Sequence, residues 1–133
     1  MNAKLPREIV DAILETLPFE MTVLDENDRI VWWNTRHPRF FERADENLGR
    51  DVRSCHSEKS VAMIDTLLGE MKAGERERAR FWYNRIDDGV PRKLVVDYIA
   101  IRDGSGRYMG CIETLQDVAP FRFIEGEKRE LDD

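Results

Sequence analysis

The apolar residues of this chain change their spacing as it is read, and the changes divide it into elements. Ile9, Val10, Ile13, Leu14 and Leu17 form one helical stripe, which predicts a helix over 6–17. Pro6 opens it at a position where proline is tolerated, and Pro18 closes it. Such a stripe packs either on the protein's own sheet or on a second copy. Val23 and Leu24 then precede the polar cluster Asp25-Glu26-Asn27-Asp28, and Ile30 to Trp33 follow it. That alternation predicts a hairpin over 20–34.

Residues 35–41 read as a short helix introduced by His37-Pro38, and Asn47-Leu48-Gly49 as a turn. Asp51 to His56 leads into the longest helix. Ser57 is its N-cap, Val61, Ile64, Leu67, Leu68 and Met71 its buried stripe, and Gly74 its end. From Arg76 the period falls to two, with Arg78, Arg80, Trp82 and Asn84 on one face and Ala79, Phe81 and Tyr83 on the other. Asp87 to Pro91 predicts a turn, Lys93 to Arg102 a strand, Asp103-Gly104-Ser105-Gly106 a hairpin turn and Tyr108 to Val118 the last strand. Beyond Pro120 the chain is highly charged. Phe121, Ile124 and Leu131 fall near heptad spacing there and suggest an exposed or dimerising helix, which Gly126 weakens.

This order predicts an α+β domain: a five-stranded antiparallel sheet with short helices on one face. The expected boundaries are an N-terminal helix over 1–17, a domain over 18–119 and a charged tail or helix over 120–133.

Composition narrows the function. The 133 residues suffice for one domain with a real core, and 41% apolar with 36% charged suits a globular protein. A net charge of -6 without a basic stripe argues against nucleic acid. Two cysteines, Cys55 and Cys111, in no CxxC spacing exclude a disulfide scaffold or structural zinc site from the reading. No apolar run reaches the roughly 18 residues of a membrane span, and no signal-peptide core precedes the first helix, so a cytoplasmic setting is expected. No nucleophile-base pair, phosphate-cradling glycine loop or HExxH pair appears, and an enzyme is not expected.

Five pieces in order carry a family likeness: Val23-Leu-Asp25, Ile30-Val-Trp-Trp-Asn34, Leu48-Gly49, Asp103-Gly-Ser-Gly-Arg-Tyr-Met-Gly110 and Gln116-Asp-Val118. Together they resemble a PAS sensory domain over about residues 15–120. More narrowly, Trp32-Trp-Asn-Thr-Arg-His-Pro38 and Cys55-His-Ser-Glu-Lys-Ser60 resemble PAS modules found beside hemerythrin-like domains in bacteria and archaea. In those modules the second motif runs Cys-His-Pro-Pro-Lys-Ser-Val-His. Here Ser57-Glu58 stand for the prolines and Ala62 for the last histidine, so any ligand role of that histidine is lost. The resemblance implies a sheet cupping a pocket for haem, a flavin, an organic acid or nothing. It also implies a dimer through the terminal helices, with a signalling helix feeding a partner protein.

Each candidate residue has two readings. His56 is either a ligand-contacting or metal-binding imidazole or a residue that leads the chain into the long helix. Met63 lies near where haem-binding PAS helices carry an axial ligand, and equally on the core stripe. On the last strand Met109, Cys111, Glu113 and Leu115 share a face by period two. If that face lines the pocket, Glu113 needs a partner or a ligand. Phe81 and Tyr98 are then fellow liners, with His56 in reach of the carboxylate. A one-residue slip would turn Glu113 outward instead. Trp32 and Trp33 must face opposite sides; Trp32 is taken as the pocket liner, and Trp82 as packing. Asn34 and His37-Pro38 read as turn and cap residues. Cys55 and Cys111 read as small wall residues. The expected ligand is small and acidic or heterocyclic rather than haem.

Overall fold

The computed structural model describes residues 4–35 and 39–132. Helix α1 (Arg7–Thr16) leads into strands β1 (Glu20–Asp25) and β2 (Ile30–Trp33). Two short 3-10 turns, Asp45–Asn47 and Val52–Cys55, precede helix α2 (Glu58–Lys72). Strands β3 (Arg78–Asp87), β4 (Val90–Arg102) and β5 (Tyr108–Asp117) follow, and a 3-10 turn, Ala119–Phe123, closes the regular structure. The strands form one sheet in the order β2-β1-β5-β4-β3, and every pairing is antiparallel. This is the expected α+β sheet.

One face of the sheet carries the core. Leu24, Ile30, Leu94, Val96, Tyr98, Cys111 and Leu115 meet Ile64, Leu67, Leu68 and Met71 of α2 in a single buried cluster with Val52. The helical stripe and the period-two strands therefore interlock as their spacings require. Ser57 accepts a hydrogen bond from the Ser60 N–H and caps α2, while Gly74, at φ 78°, ends it in the left-handed region that glycine tolerates.

Two local readings change. Strand β4 begins at Val90 instead of Lys93, because Asp88 and Gly89 (φ 49° and 78°) close a two-residue turn. Pro91 then lies in the strand opposite Ile86, where β4 pairs with β3 but has not yet reached β5; its missing N–H disrupts no bond there. The expected helix over 35–41 falls partly outside the described residues, as do His37 and Pro38; Thr35, Arg39, Phe40 and Phe41 are not helical. Past Phe123 the described residues form no helix, and Gly126 adopts φ 59°. Helix α1 buries no residue fully and leaves Ile9 and Ile13 44% and 40% exposed.

Two glycines make the fold testable. At Gly110 (φ 148°) an added Cβ would fall 2.1 Å from the Leu24 backbone oxygen, since β5 lies against β1 there with Gly110 paired to Asp25. Gly69 lies inside α2 with nothing near its Cβ direction. Gly110→Ala is expected to cost about 3 kcal/mol and Gly69→Ala to stabilise by roughly 0.5–1 kcal/mol, both read from urea midpoints at unchanged m. Equal effects at the two positions would contradict the close backbone approach.

Candidate functional site

The site begins with a polar knot at the start of β1. Asn34 leaves β2 fully buried, and its Oδ1 accepts from Met21 N (2.9 Å) and Arg39 Nη1 (2.9 Å) while Nδ2 donates to the Phe19 carbonyl (2.8 Å). Arg39 also donates to the Met21 and Asn34 carbonyls (3.1 Å each) and to Thr22 Oγ1 (3.2 Å). Glu20, buried beside it, lies 3.5 Å from the Arg39 guanidinium and accepts from the Phe40 and Phe41 N–H groups. Burial pushes the Glu20 carboxyl up and the Arg39 guanidinium down, against the attraction between them. Desolvation thus outweighs pairing for both, as it does for many buried ion pairs. What the knot achieves is position: the chain after Arg39 is held over the sheet. Phe41 stacks on Tyr83 (6.4 Å), and the Arg85 and Arg92 guanidinium groups cover Phe40 at 5.4 and 5.3 Å.

Between this segment and the sheet is a cavity of about 790 Å³, within the range of small-molecule sites. Its roof is Phe40 to Arg43 with Asn47; one side is Ser54 to Ser57 with Ser60 and Met63; its floor is Phe81, Tyr83, Val96, Tyr98 and Glu113. Strand register explains the floor. Glu113 stands opposite Tyr98, and Val96 opposite both Phe81 and Leu115, so alternate residues of three strands share the inner face. Phe81 meets Tyr98 edge-on at 6.1 Å.

Two buried ionic side chains stand in the wall, besides the exposed Glu42 of the roof. Arg43 and Glu113 approach to 3.7 Å with side chains only 9% and 8% exposed. Burial, then the Glu113 charge and a hydrogen bond to it, push the Tyr98 phenol up. Burial pushes the His56 imidazole below its ordinary 6.5; the Glu113 charge opposes that and the Arg43 charge adds to it.

The expected site residues divide on this geometry. Cys55, His56, Met63, Phe81, Tyr98 and Glu113 share the cavity wall. Cys111 and Leu115, on either side of Glu113, lie on the inner face but are sealed in the core cluster with the α2 stripe. Burial also pushes the Cys111 thiol up to about 12, leaving it an inert small apolar group. Met109, expected on that face, is exposed, because the register shifts between Ile101 and Arg102. Trp32 must be corrected. It pairs with Val23, on the outer face, whereas Trp33 pairs with Thr22 and packs against the core. A register shift between Val23 and Leu24 places Trp33, not Trp32, inside. Sequence reasoning missed Phe40, Phe41 and Arg43, whose loop has no period to read. Tyr83 and Val96 were within reach of the period-two rule from Phe81 and Tyr98.

Chemically, the wall offers an imidazole, a thioether and a thiol as soft or borderline ligands, and a guanidinium, a carboxylate and hydroxyls as hydrogen-bonding groups. Among the described residues, no three His, Cys, Asp or Glu side chains gather as a metal would require.

With that geometry in hand, comparison with known proteins is direct. A family model described as a PAS domain matches residues 10–119. Among solved structures the chain is similar to a C-terminal domain from Streptococcus mutans, at 28% identity and a TM-score of 0.80 over 92% of each chain. It is similar to a sensory box sensor histidine kinase from Vibrio cholerae, at 15% identity and a TM-score of 0.56 over 84% of this chain and 90% of that one. It is also similar to VqmA of Vibrio cholerae bound to DPO, at 18% identity and a TM-score of 0.58, over 86% of this chain and 58% of that one. None of the curated protein sequences matches it. Nothing in these likenesses bears on the narrower resemblance to modules beside hemerythrin-like domains.

Asn34→Ala removes three side-chain hydrogen bonds from a buried knot and is expected to cost about 2–3 kcal/mol in chemical denaturation; a loss under about 0.5 kcal/mol would contradict its role. For His56, the folded protein holds a proton less readily than the unfolded chain. Its contribution to stability is therefore complete above about 6.5 and is lost as pH falls through the folded value. Imidazole NMR titration should place His56 below 6.5, and lower still in Glu113→Gln, where the opposing charge is gone. A midpoint that stays at 6.5 in both proteins would remove His56 from this electrostatic cluster.

Proposed function

The chain belongs to the PAS domain family, and on that footing we propose that it is a sensory module that takes a small organic ligand into its cavity. PAS domains are in general sensory rather than enzymatic modules, and the reading is of a non-enzymatic one. Occupancy is passed to a partner protein through the terminal segments or a dimer interface. The observation that carries this reading is the cavity itself: about 790 Å³, walled by aromatic rings, with one buried guanidinium and one buried carboxylate in its lining. VqmA, which contains a similar fold, is bound to DPO in one solved structure, and another similar fold belongs to a sensor histidine kinase; both agree with a ligand-responsive role.

The dimer reading rests on apolar surface. Ile9 and Ile13 are exposed on one side of α1, Trp82 is 66% exposed on the outer face of the sheet, and Phe121 and Phe123 follow β5 exposed. A cytoplasmic setting fits two free cysteines, one exposed and one buried. Among the described residues, no helix is long and apolar enough to cross a membrane. A second reading, a ligand-free docking module, draws on one observation: Glu113 is answered within the protein by Arg43 and Tyr98.

Native mass spectrometry of freshly purified protein, with an absorption spectrum from about 300 to 700 nm, separates the two. Under the ligand reading a bound small mass is expected, on a dimer that Ile9→Glu/Ile13→Glu converts to a folded monomer. An apo mass with no visible absorption would overturn the ligand reading in favour of docking, and a monomeric wild type would overturn the dimer.

A further inference from the structure

Arg43 is poorly matched for a buried cation. Its guanidinium has five N–H donors and its side chain is 9% exposed. Among the described residues it makes one marginal hydrogen bond, Nη2 to Thr22 Oγ1 at 3.5 Å, and a 3.7 Å approach to Glu113 Oε1. Its Nε finds no acceptor among those residues although it is shielded from solvent. Buried polar groups are ordinarily satisfied, and one that is not points to a missing partner. Arg39, four residues earlier, shows the contrast: it donates to three carbonyls, an amide oxygen and a hydroxyl. Arg39 is engaged in holding the fold. Arg43 lines the cavity with most of its donors uncommitted.

Charge decides what it is for. The cluster holds two carboxylates, Glu20 and Glu113, and two guanidinium groups, Arg39 and Arg43. These balance. An anionic ligand would add a further negative charge beside buried Glu113, and an uncompensated charge in such a site is costly. A neutral ligand with one acceptor and one donor would add no charge and would serve both wall groups. At 3.7 Å Arg43 and Glu113 form an ion pair too long for a hydrogen bond, and Glu113, although Tyr98 also bonds it, keeps acceptor sites for a ligand donor. The rings of the cavity, Phe41 on Tyr83 and Phe81 against Tyr98, supply flat apolar walls.

We propose that the cavity selects a neutral, planar molecule carrying an adjacent hydrogen-bond acceptor and donor on one edge, as in a cyclic amide. Arg43 donates to the acceptor and Glu113 accepts from the donor. This rests on the ligand-binding reading above and deepens it.

The test is calorimetric titration of the full chain with three probes of similar size. 2-Quinolinone carries the complete edge, N-methyl-2-quinolinone lacks the donor, and 2-naphthoate is an anion. 2-Quinolinone is expected to bind about tenfold or more tighter than either. In Arg43→Met/Glu113→Leu, which replaces the ion pair by apolar side chains of similar size, the preference over the N-methyl compound is expected to vanish while the fold persists. Should that variant fail to fold, Glu113→Gln, which keeps the shape, is expected to reduce the preference several-fold. Equal binding of the two quinolinones, or tighter binding of 2-naphthoate, would overturn the donor–acceptor edge and leave the ligand-binding reading standing. No binding of any probe, with a bound mass in the native spectrum, would do the same. No binding and no bound mass would overturn both.

Discussion

A carboxylate buried at the first residue of a central strand is the constraint from which the site follows. Glu20 cannot remain in the interior unanswered, and the groups that answer it are Arg39 and the backbone amides of Phe40 and Phe41. Each belongs to a loop that has no regular structure of its own. The loop is therefore held over the sheet by electrostatics and hydrogen bonds rather than by an apolar stripe. Asn34 completes the arrangement by bonding β1, Phe19 and Arg39 at once. Because those residues are fixed, Phe40, Phe41 and Arg43 become a roof, and the inner face of β3, β4 and β5 becomes a cavity instead of an open surface.

The polar and apolar parts of the molecule divide this labour. The α2 stripe and the strands beneath it bury a continuous core that takes in Cys111 and Leu115. Glu113 stands between those two on β5, and with Tyr98 and Phe81 it faces the cavity. The alternation that builds the core therefore also delivers the site, on the same face of the same strands. What differs is the cover: a helix packed by side-chain shape in one place, and a loop tethered by charge in the other.

The extent to which this was legible in the sequence follows from that difference. Elements with a period were readable: the hairpin about Asp25 to Asp28, the α2 stripe, and the inward placement of Phe81, Tyr98 and Glu113. Where the period breaks, the reading failed. A register shift between Val23 and Leu24 exchanged Trp32 for Trp33, and a two-residue turn at Asp88-Gly89 drew Pro91 into a strand. The roof was not readable at all. Arg39 and Arg43 are ordinary charged loop residues until a buried carboxylate on another element is known to face them, and such pairings, about twenty positions apart for Arg39–Glu20 and about seventy for Arg43–Glu113, leave no local trace.

The register of β1 and β5 has one further consequence. Glu20 pairs with Leu115 and Thr22 with Glu113, so the first residues of the sheet lie beside its last. The strand that brings the polypeptide in and the strand that takes it out are neighbours at the middle of the sheet, and they run in opposite senses. The domain is thus spliced into its own polypeptide at a single point, like a loop drawn from a cord. Any displacement of β5 at Glu113 lies within a few residues of the outgoing end. Through the Thr22–Glu113 pairing it lies equally close to the incoming end, so the two ends of the domain share one hydrogen-bonded ladder.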